Sequence, residues 1–385
     1  MPHVSLDPAA RREVLIALGA DFDVPRAAAC QLAAGLDAWA RSGWRSGPAT
    51  AARLGIPAVA LAAAGALRRR APEIARRELA GARALGARIV TRDDPEFPGA
   101  LGDLELPPPC LWVRGTLPPE PDRAVAIVGS RRADPYGREA AELFARELAA
   151  AGLSVVSGFA RGIDAAAHRG ALDGGASGAR DGEGCVTAAV LGSGLGVDYP
   201  WGHRRLGERI AAAGALVSEF PCGLEPKAWH FPVRNRLIAA FAAAVLVVRA
   251  APRSGSLITA RLALDLGREV LAVPGRIFDE RSAGTNALIA DGAHPALRPR
   301  DVLEVLGVRA PGAAGVGGGS LAAEAVPPGL RGRALSVLVP GDPASPEAVA
   351  GALGEPVDRV LGVLLELELE GRIRREPGPV FVRRA

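Results

Sequence analysis

Apolar positions in the first eighty residues recur at helical intervals: Leu15, Leu18 and Phe22, then Leu32, Leu36 and Trp39. This spacing predicts a small domain of four or five short helices within residues 1–85. Ala87–Thr91 reads as a strand, and Leu106–Gly115 as a proline-stiffened connection ending in another. From Ala124 the pattern changes. Near-continuous Val, Ile, Leu and Ala runs at 124–130, 153–158, 186–194, 215–220, 244–250 and 269–275 alternate with amphipathic stretches such as Tyr136–Ala151 and Ser256–Leu266. Strands that are apolar throughout are buried on both faces, as in a parallel sheet covered by helices. Residues 86–307 are therefore expected to form a doubly wound α/β domain. Asp173–Gly184 is Gly-rich and reads as a surface loop, and the low-complexity stretch 308–329 as an interdomain linker. From 330 to 385, three helical patterns precede two strand patterns turning at Pro377 and Gly378, the order of a winged-helix domain.

Composition narrows the classes. The chain has 385 residues, 49% hydrophobic and 23% charged, which suits two or three packed domains and excludes a disordered chain. No charge-free apolar stretch reaches the roughly 18 residues of a membrane span, and the opening MPHVSLDPAARRE lacks an export signal. Four scattered cysteines form no CxxC pair, so neither a zinc site nor a disulfide framework is expected, and the expected compartment is the reducing cytoplasm. The net charge is +4. It divides as +3 over residues 1–115, +1 over 116–307 and zero beyond, so a nucleic-acid partner would need a local patch. Of the basic residues, 45 are arginine and one, Lys227, is lysine, and only Asn235 and Asn286 are asparagine. Such a bias replaces lysine and asparagine wherever a substitute works, which marks the survivors, above all Lys227 and Asn235 eight positions apart.

Four segments place glycine and small hydroxyl residues after successive strands: Gly129-Ser130-Arg131, Ser157 to Gly162, Gly192-Ser193-Gly194 and Ser254-Gly255-Ser256. Ligands of open parallel sheets bind beyond the carboxyl ends of the strands. Glycine permits close approach there, and helix N-termini offer free N–H groups to an anion. Together the loops point to a phosphate site. GxGxxG spacing and a Gly-Lys-Ser/Thr loop are both missing, which disfavours NAD and P-loop chemistry. The run Glu219–Arg236, EFPCGLEPKAWHFPVRNR, interleaves cations with aromatic rings just past a strand, as suits single-stranded nucleic acid. Within it, Trp229 is expected in the core and one arginine, such as Arg236, paired with an acid. Asp164 and His168 look like a base and its orienter, but a capping Asp and a packing His are the expected roles.

The strings AIVGSRRADPYG, VSGFARGIDAAAHRGAL, VLGSGLGVDYP, SEFPCGLEPKAWHFPVRNRLIA, SGSLITARLALDLGREVLAVPG and GTNALIADGA resemble, in order, the DprA/Smf family of bacterial DNA-processing proteins of natural transformation. They cover most of residues 124–293, and the tail LLELELEGRIRREPGPVFVR is similar to the family's winged helix. The resemblance implies an extended Rossmann-like fold with a small N-terminal helical, SAM-like unit. It implies non-enzymatic, sequence-independent binding of single-stranded DNA without metal or cofactor, homodimers, and loading of a RecA-type recombinase while the strand is shielded. The implied pocket is Gly129, Ser130, Arg131, Gly158, Arg161, Gly162, Lys227, Phe231, Arg234, Asn235, Gly255 and Ser256, with Phe231 stacking on a base. Two departures stand out. The run WGHRRL follows DYP, where His203, Arg204 and Arg205 replace an Asn and lysines, and Arg249 stands in place of a Glu. The rival reading is a nucleotide-derivative hydrolase, with Glu219 or Asp164 as the only plausible carboxylate. A third is an interaction protein whose winged helix binds duplex DNA or a protein.

Overall fold

The computed structural model describes residues 7–118, 120–177, 184–308, 329–339, 342–376, 378 and 380–383. Nearly all of the expected linker, the heart of the Gly-rich loop and Pro377 of the expected hairpin turn lie outside the described residues.

Five helices open the chain: α1 (Pro8–Ala20), α2 (Arg26–Ala34), α3 (Leu36–Arg41), α4 (Pro48–Leu54) and α5 (Ala58–Ala84). The first four are short, as the spacing predicts, but α5 runs for 27 residues and passes through Pro72. Its buried face continues across the proline, through Leu67, Ala71, Ile74 and Ala75. Packing of that face carries the helix past a residue that local propensity would use to end it. The core of this unit does not stop at residue 85. It includes Ile89, Cys110 and Trp112 of β1 (Arg88–Thr91) and β2 (Cys110–Gly115). No helix among the described residues is long and apolar enough to cross a membrane by itself.

The central sheet adds β3 (Ala124–Val128), β4 (Ser154–Ser157), β5 (Thr187–Leu191), β6 (Ala215–Ser218), β7 (Ala244–Val247), β8 (Glu269–Ala272) and β9 (His294–Pro295). Its order is β1-β2-β6-β5-β4-β3-β7-β8-β9. All pairings from β6 to β9 are parallel, whereas β1 with β2 and β2 with β6 are antiparallel. The doubly wound parallel sheet expected from the sequence is thus present, with an antiparallel pair at one edge. One face is covered by α6 (Pro135–Ala150) and α7 (Ile163–Ser177) through Val125, Ile127, Phe144 and Leu148. The other is covered by α9 (His230–Ala240) and α10 (Gly255–Asp265) through Val128, Val156, Leu237 and Ala260. Strand β3 leads to α6 on the first face, and its neighbour β7 leads to α10 on the second. Their carboxyl ends therefore diverge, and a crevice opens where open α/β sheets bind ligands.

After α8 (Arg204–Ala213), α11 (Glu280–Ala290) and α12 (Pro299–Val305), the C-terminal unit comprises α13 (Leu330–Val337), α14 (Pro346–Leu353), α15 (Val357–Leu369) and the antiparallel pair β10 (Ile373–Glu376) and β11 (Val380–Arg383). The helix–helix–helix–hairpin order read from the sequence is the order observed. Ser345 caps α14 by accepting from the N–H of Ala348, and Val349, Val360, Leu364 and Phe381 form a separate small core. Ion pairs of Arg374 with Glu139 and Arg276 with Asp342 join this unit to the α/β domain.

Candidate nucleic-acid interface

Two adjoining clefts lie along the carboxyl edge of the sheet. The first has a volume of about 650 Å³ and is lined by Arg131, Lys227, Asn235, Ser254, Gly255 and Ser256 among others. The second, about 350 Å³, is lined by Arg132, Gly158, Arg161, Ser193 and Trp201. Arg131, Ala160, Tyr199 and Phe231 belong to both and form the wall between them. The four Gly/Ser loops and the cationic run after β6 therefore converge, as the sequence suggests.

The glycines do a different job from the expected one. A Cβ at Gly158 would lie 2.7 Å from Asp164 Oδ2 and 2.9 Å from the Arg234 guanidinium, and one at Gly192 would lie 2.7 Å from the Phe231 ring. Gly129 is closed in by Ile163 and the carbonyl of Arg249. Gly162, at φ +82°, turns the β4 loop against the carbonyls of Ser130 and Arg131 and lines neither cleft. These glycines let protein meet protein and so fix the loops. Gly255 is the exception: it is exposed at the first turn of α10, where a Cβ would meet nothing. Ser254 caps α10, accepting from the N–H of Ser256, and its hydroxyl lies 2.7 Å from that of Ser256. The N–H groups of Ser254, Ser256 and Leu257 are taken up by Ala251 and Ser254, so the amide this helix end offers at the first cleft is that of Gly255, a position suited to an anion.

The cations divide into two sets. Arg131, Arg132, Arg161 and Lys227 are exposed on the rim and have no carboxylate partner among the described residues. The Arg131 guanidinium lies 4.5 Å over the Phe231 ring, which also meets Tyr199 at 5.6 Å. Phe231 is thus half-buried, with one face serving Arg131, a different use from the open base-stacking platform expected of it. Arg234 corrects the sequence reading more sharply. It is 3% exposed, and its Nη1 donates to the carbonyls of Gly158, at 2.6 Å, and Val190. Burial lowers its pKa to about 10. It lines the first cleft, as expected, but from a buried position in which it braces the ends of β4 and β5. Asn235 is also a tie: its Nδ2 donates to the carbonyl of Gly255, 3.3 Å away, joining α9 to α10.

Other expectations resolve in the same way. Arg236 pairs at 2.5 Å with Glu219, which is fully buried and also held by Arg26. Glu219 lines neither cleft, which removes one of the two carboxylates a hydrolase could use. Trp229 is 45% exposed and meets Phe22, Phe220 and His230 edge-on, so it is not a core residue. His168 is buried with Nδ1 2.8 Å from Thr187 Oγ1, and burial lowers its pKa to about 3, so it packs as a neutral ring. Asp164 accepts from the N–H of Ala160 and lines the first cleft, and burial raises its pKa to about 6. His203 lies with its ring edge on Phe159, and burial lowers its pKa, so it supplies no cation. Arg204 pairs with Glu208. Arg249 is buried against Asp134, Asp279 at 2.8 Å and Ser282, with Tyr136 beneath it. Through Asp134 the Arg249 side chain ties down the segment after β3, and its backbone carbonyl, which any residue here would supply, accepts from the N–H of Ser130.

Tyr199, Arg132 and Trp201 were not picked out by the sequence. Tyr199 carried a signal, being one of two tyrosines. Trp201 sits in the departing run WGHRRL and is 79% exposed at the second cleft.

The model of DNA recombination-mediator protein A matches residues 88–307, and that of the DprA winged helix domain matches 320–379. Protein Smf of Escherichia coli (strain K12) is 39% identical over 313 residues, 77% of this chain and 78% of that protein. A putative DNA processing protein DprA of Mycobacterium tuberculosis (strain H37Rv) is 38% identical over 74% of each. The X-ray structure of DNA processing protein A from Streptococcus pneumoniae superposes with a TM-score of 0.62 at 29% identity, covering 78% of this chain and 98% of that one. With a Rossmann-like unit and a winged helix both matched, the chain belongs to the DNA recombination-mediator protein A family, the DprA proteins that process DNA.

Proposed function

We propose that this chain is a non-enzymatic single-stranded-DNA-binding recombination mediator that grips an unpaired strand along the two clefts. The observation that carries the reading is the set of rim cations without carboxylate partners among the described residues: Arg131 and Lys227 share the first cleft with the N-terminus of α10, and Arg131, Arg132 and Arg161 line the second. Phosphates sit between Lys227 and the Gly255 amide, and Arg131 and Arg161 continue the track. Base stacking falls to the exposed ring of Trp201, since Phe231 already carries Arg131. Nothing in such contacts distinguishes one base from another. Shielding of the strand and delivery of a RecA-type recombinase extend this reading, supported by the family's description as a recombination mediator, and homodimers and a cytoplasmic location are proposed with them.

A salt titration tests the core of it. Single-stranded oligonucleotide is expected to bind more tightly than duplex. Lys227→Ala is expected to lower the slope of log affinity against log salt by about 0.7, the value of one single-strand phosphate contact. An unchanged slope removes Lys227 from the track.

A second expectation concerns pH. Asp164 is the one carboxylate lining the first cleft among the described residues. With a pKa near 6 it is ionised at neutral pH and takes up a proton below that value, which removes a negative charge from a site for anions. Affinity is therefore expected to rise as pH falls from about 7.5 to about 5.5, and Asp164→Asn is expected to flatten that rise. The same rise in the Asn variant would assign it to another group.

A further inference from the structure

The helical unit, residues 1–85, carries 12 arginines against seven carboxylates, and the excess is local. Residues 38–72 contain six arginines, at 41, 45, 53, 68, 69 and 70, and no aspartate or glutamate. Arg70 pairs with Asp21 and Asp23, but Arg41, Arg45, Arg53, Arg68 and Arg69 have no carboxylate partner among the described residues. Three of them meet at one loop. After α3, Gly43 and Trp44 take successive left-handed conformations, φ +69° and +61°. A bulky residue rarely adopts this backbone, and such strain gathers where a surface is built for use. The turn folds the loop back across α5. Ser46 Oγ donates to the carbonyl of Leu61, Trp39 Nε1 donates to the carbonyl of Arg45, and Trp44 stands edge-on to Trp39 at 4.9 Å. The Arg68 guanidinium lies 4.7 Å over the Trp44 ring, and its buried Nε has no hydrogen-bond partner. Arg41 and Arg45 are exposed on either side.

We propose that this arginine-bordered Trp44 loop is a second contact for DNA phosphates, engaging the strand after it leaves the clefts. The inference rests on the reading of the chain as a single-strand binder. Cations without a carboxylate partner, one of them held over an aromatic ring, suit a polyanion; Asp37, the acid closest to Arg41 in sequence, is paired with Arg11 instead. The position fits a strand that extends past the first site. Gly81 of α5 abuts Cys222, on the segment that leads to Lys227, and Arg68 stands 13 residues before it, roughly 20 Å along the helix at about 1.5 Å per residue.

The test compares the full chain with its Arg41→Ala/Arg45→Ala variant, using a poly(dT) oligonucleotide of about six nucleotides and one of about 16. The long strand is expected to lose about 1.4 from its salt slope, so that raising salt fourfold weakens it about sevenfold less than it weakens the parent complex. The short strand is expected to bind both proteins equally, and Arg41→Lys/Arg45→Lys is expected to keep the parent slope. Lys227→Ala weakens both lengths if the clefts are the first site, which separates failure of that reading from failure of this one. An unchanged long-strand slope in the alanine variant overturns the proposal. So does a loss confined to duplex, or a loss that the lysine variant shares.

Discussion

Arg234→Ala is expected to lower the stability of the α/β domain by about 3–5 kcal/mol, the loss expected when buried carbonyls lose their charged donor and a nearby buried carboxylate loses its countercharge. The guanidinium is buried, and it satisfies carbonyls of Gly158 and Val190 at the ends of two strands. Across Gly158 it faces the buried carboxylate of Asp164. Alanine would leave both carbonyls without this donor and the carboxylate without its neighbouring cation. At roughly 2–4 °C per kcal/mol for a domain of this size, the denaturation midpoint should fall by about 6–20 °C. Adding Asp164→Asn should recover part of the loss by removing the stranded charge. If Arg234 instead gripped DNA, the alanine variant would melt near the parent and lose only binding. A midpoint within about 1 °C of the parent would therefore assign Arg234 to the strand and not to the framework.

Much of the fold is legible because its signals are local. Strands buried on both faces must be apolar throughout, and six such runs alternating with helices leave little choice beyond a doubly wound sheet. The antiparallel pair β1–β2 was harder to place. Its two strands are short, and their partner β6 lies a hundred residues further on, so no local pattern tells which edge they join. The length of α5 escaped for a related reason. Pro72 is a strong local stop, and only the packing of Leu67, Ala71 and Ile74 on both sides of it overrules that stop.

At the site, the sequence located the place better than the roles. Convergence of four loops follows from topology alone, since every parallel strand ends on the same edge. Whether an arginine in PVRNR reaches solvent or turns inward depends on something the string does not contain. The carbonyls of Gly158 and Val190 lie at the ends of β4 and β5, and the arginine of α9 is aimed at both. Residue scarcity singled out positions but not what each of them does. Lys227 stands free on the rim, whereas Asn235 ties two helices, and Asn286 bonds both the N–H and the carbonyl of Gly275. Arg249 is the same lesson with charge. A lone basic residue after a strand looks like a disturbance until Asp134, Asp279 and Ser282 are found around it.

Arg131 is where the two clefts meet, and its replacement is expected to have the largest effect on binding. Arg131→Ala should weaken single-stranded DNA by about 1.5–3 kcal/mol, the range for hydrogen bonds to charged groups, or roughly 10–150-fold. The residue also decides what Phe231 does. The ring supports the guanidinium at 4.5 Å and is hemmed in by Tyr199 and Gly192, so its contribution should pass through Arg131. Phe231→Leu alone should then cost about 0.5–2 kcal/mol, the range of a cation–π contact. In the Arg131→Ala background the same change should cost almost nothing, leaving a coupling of at least about 0.5 kcal/mol in the double-mutant cycle. A ring that stacks on a base by itself predicts the opposite, because its loss would be felt equally with or without the arginine. Additive losses would thus return Phe231 to base stacking and detach it from Arg131, whereas coupled losses make the two side chains one element, a planar cation held flat at the junction through which the strand must pass.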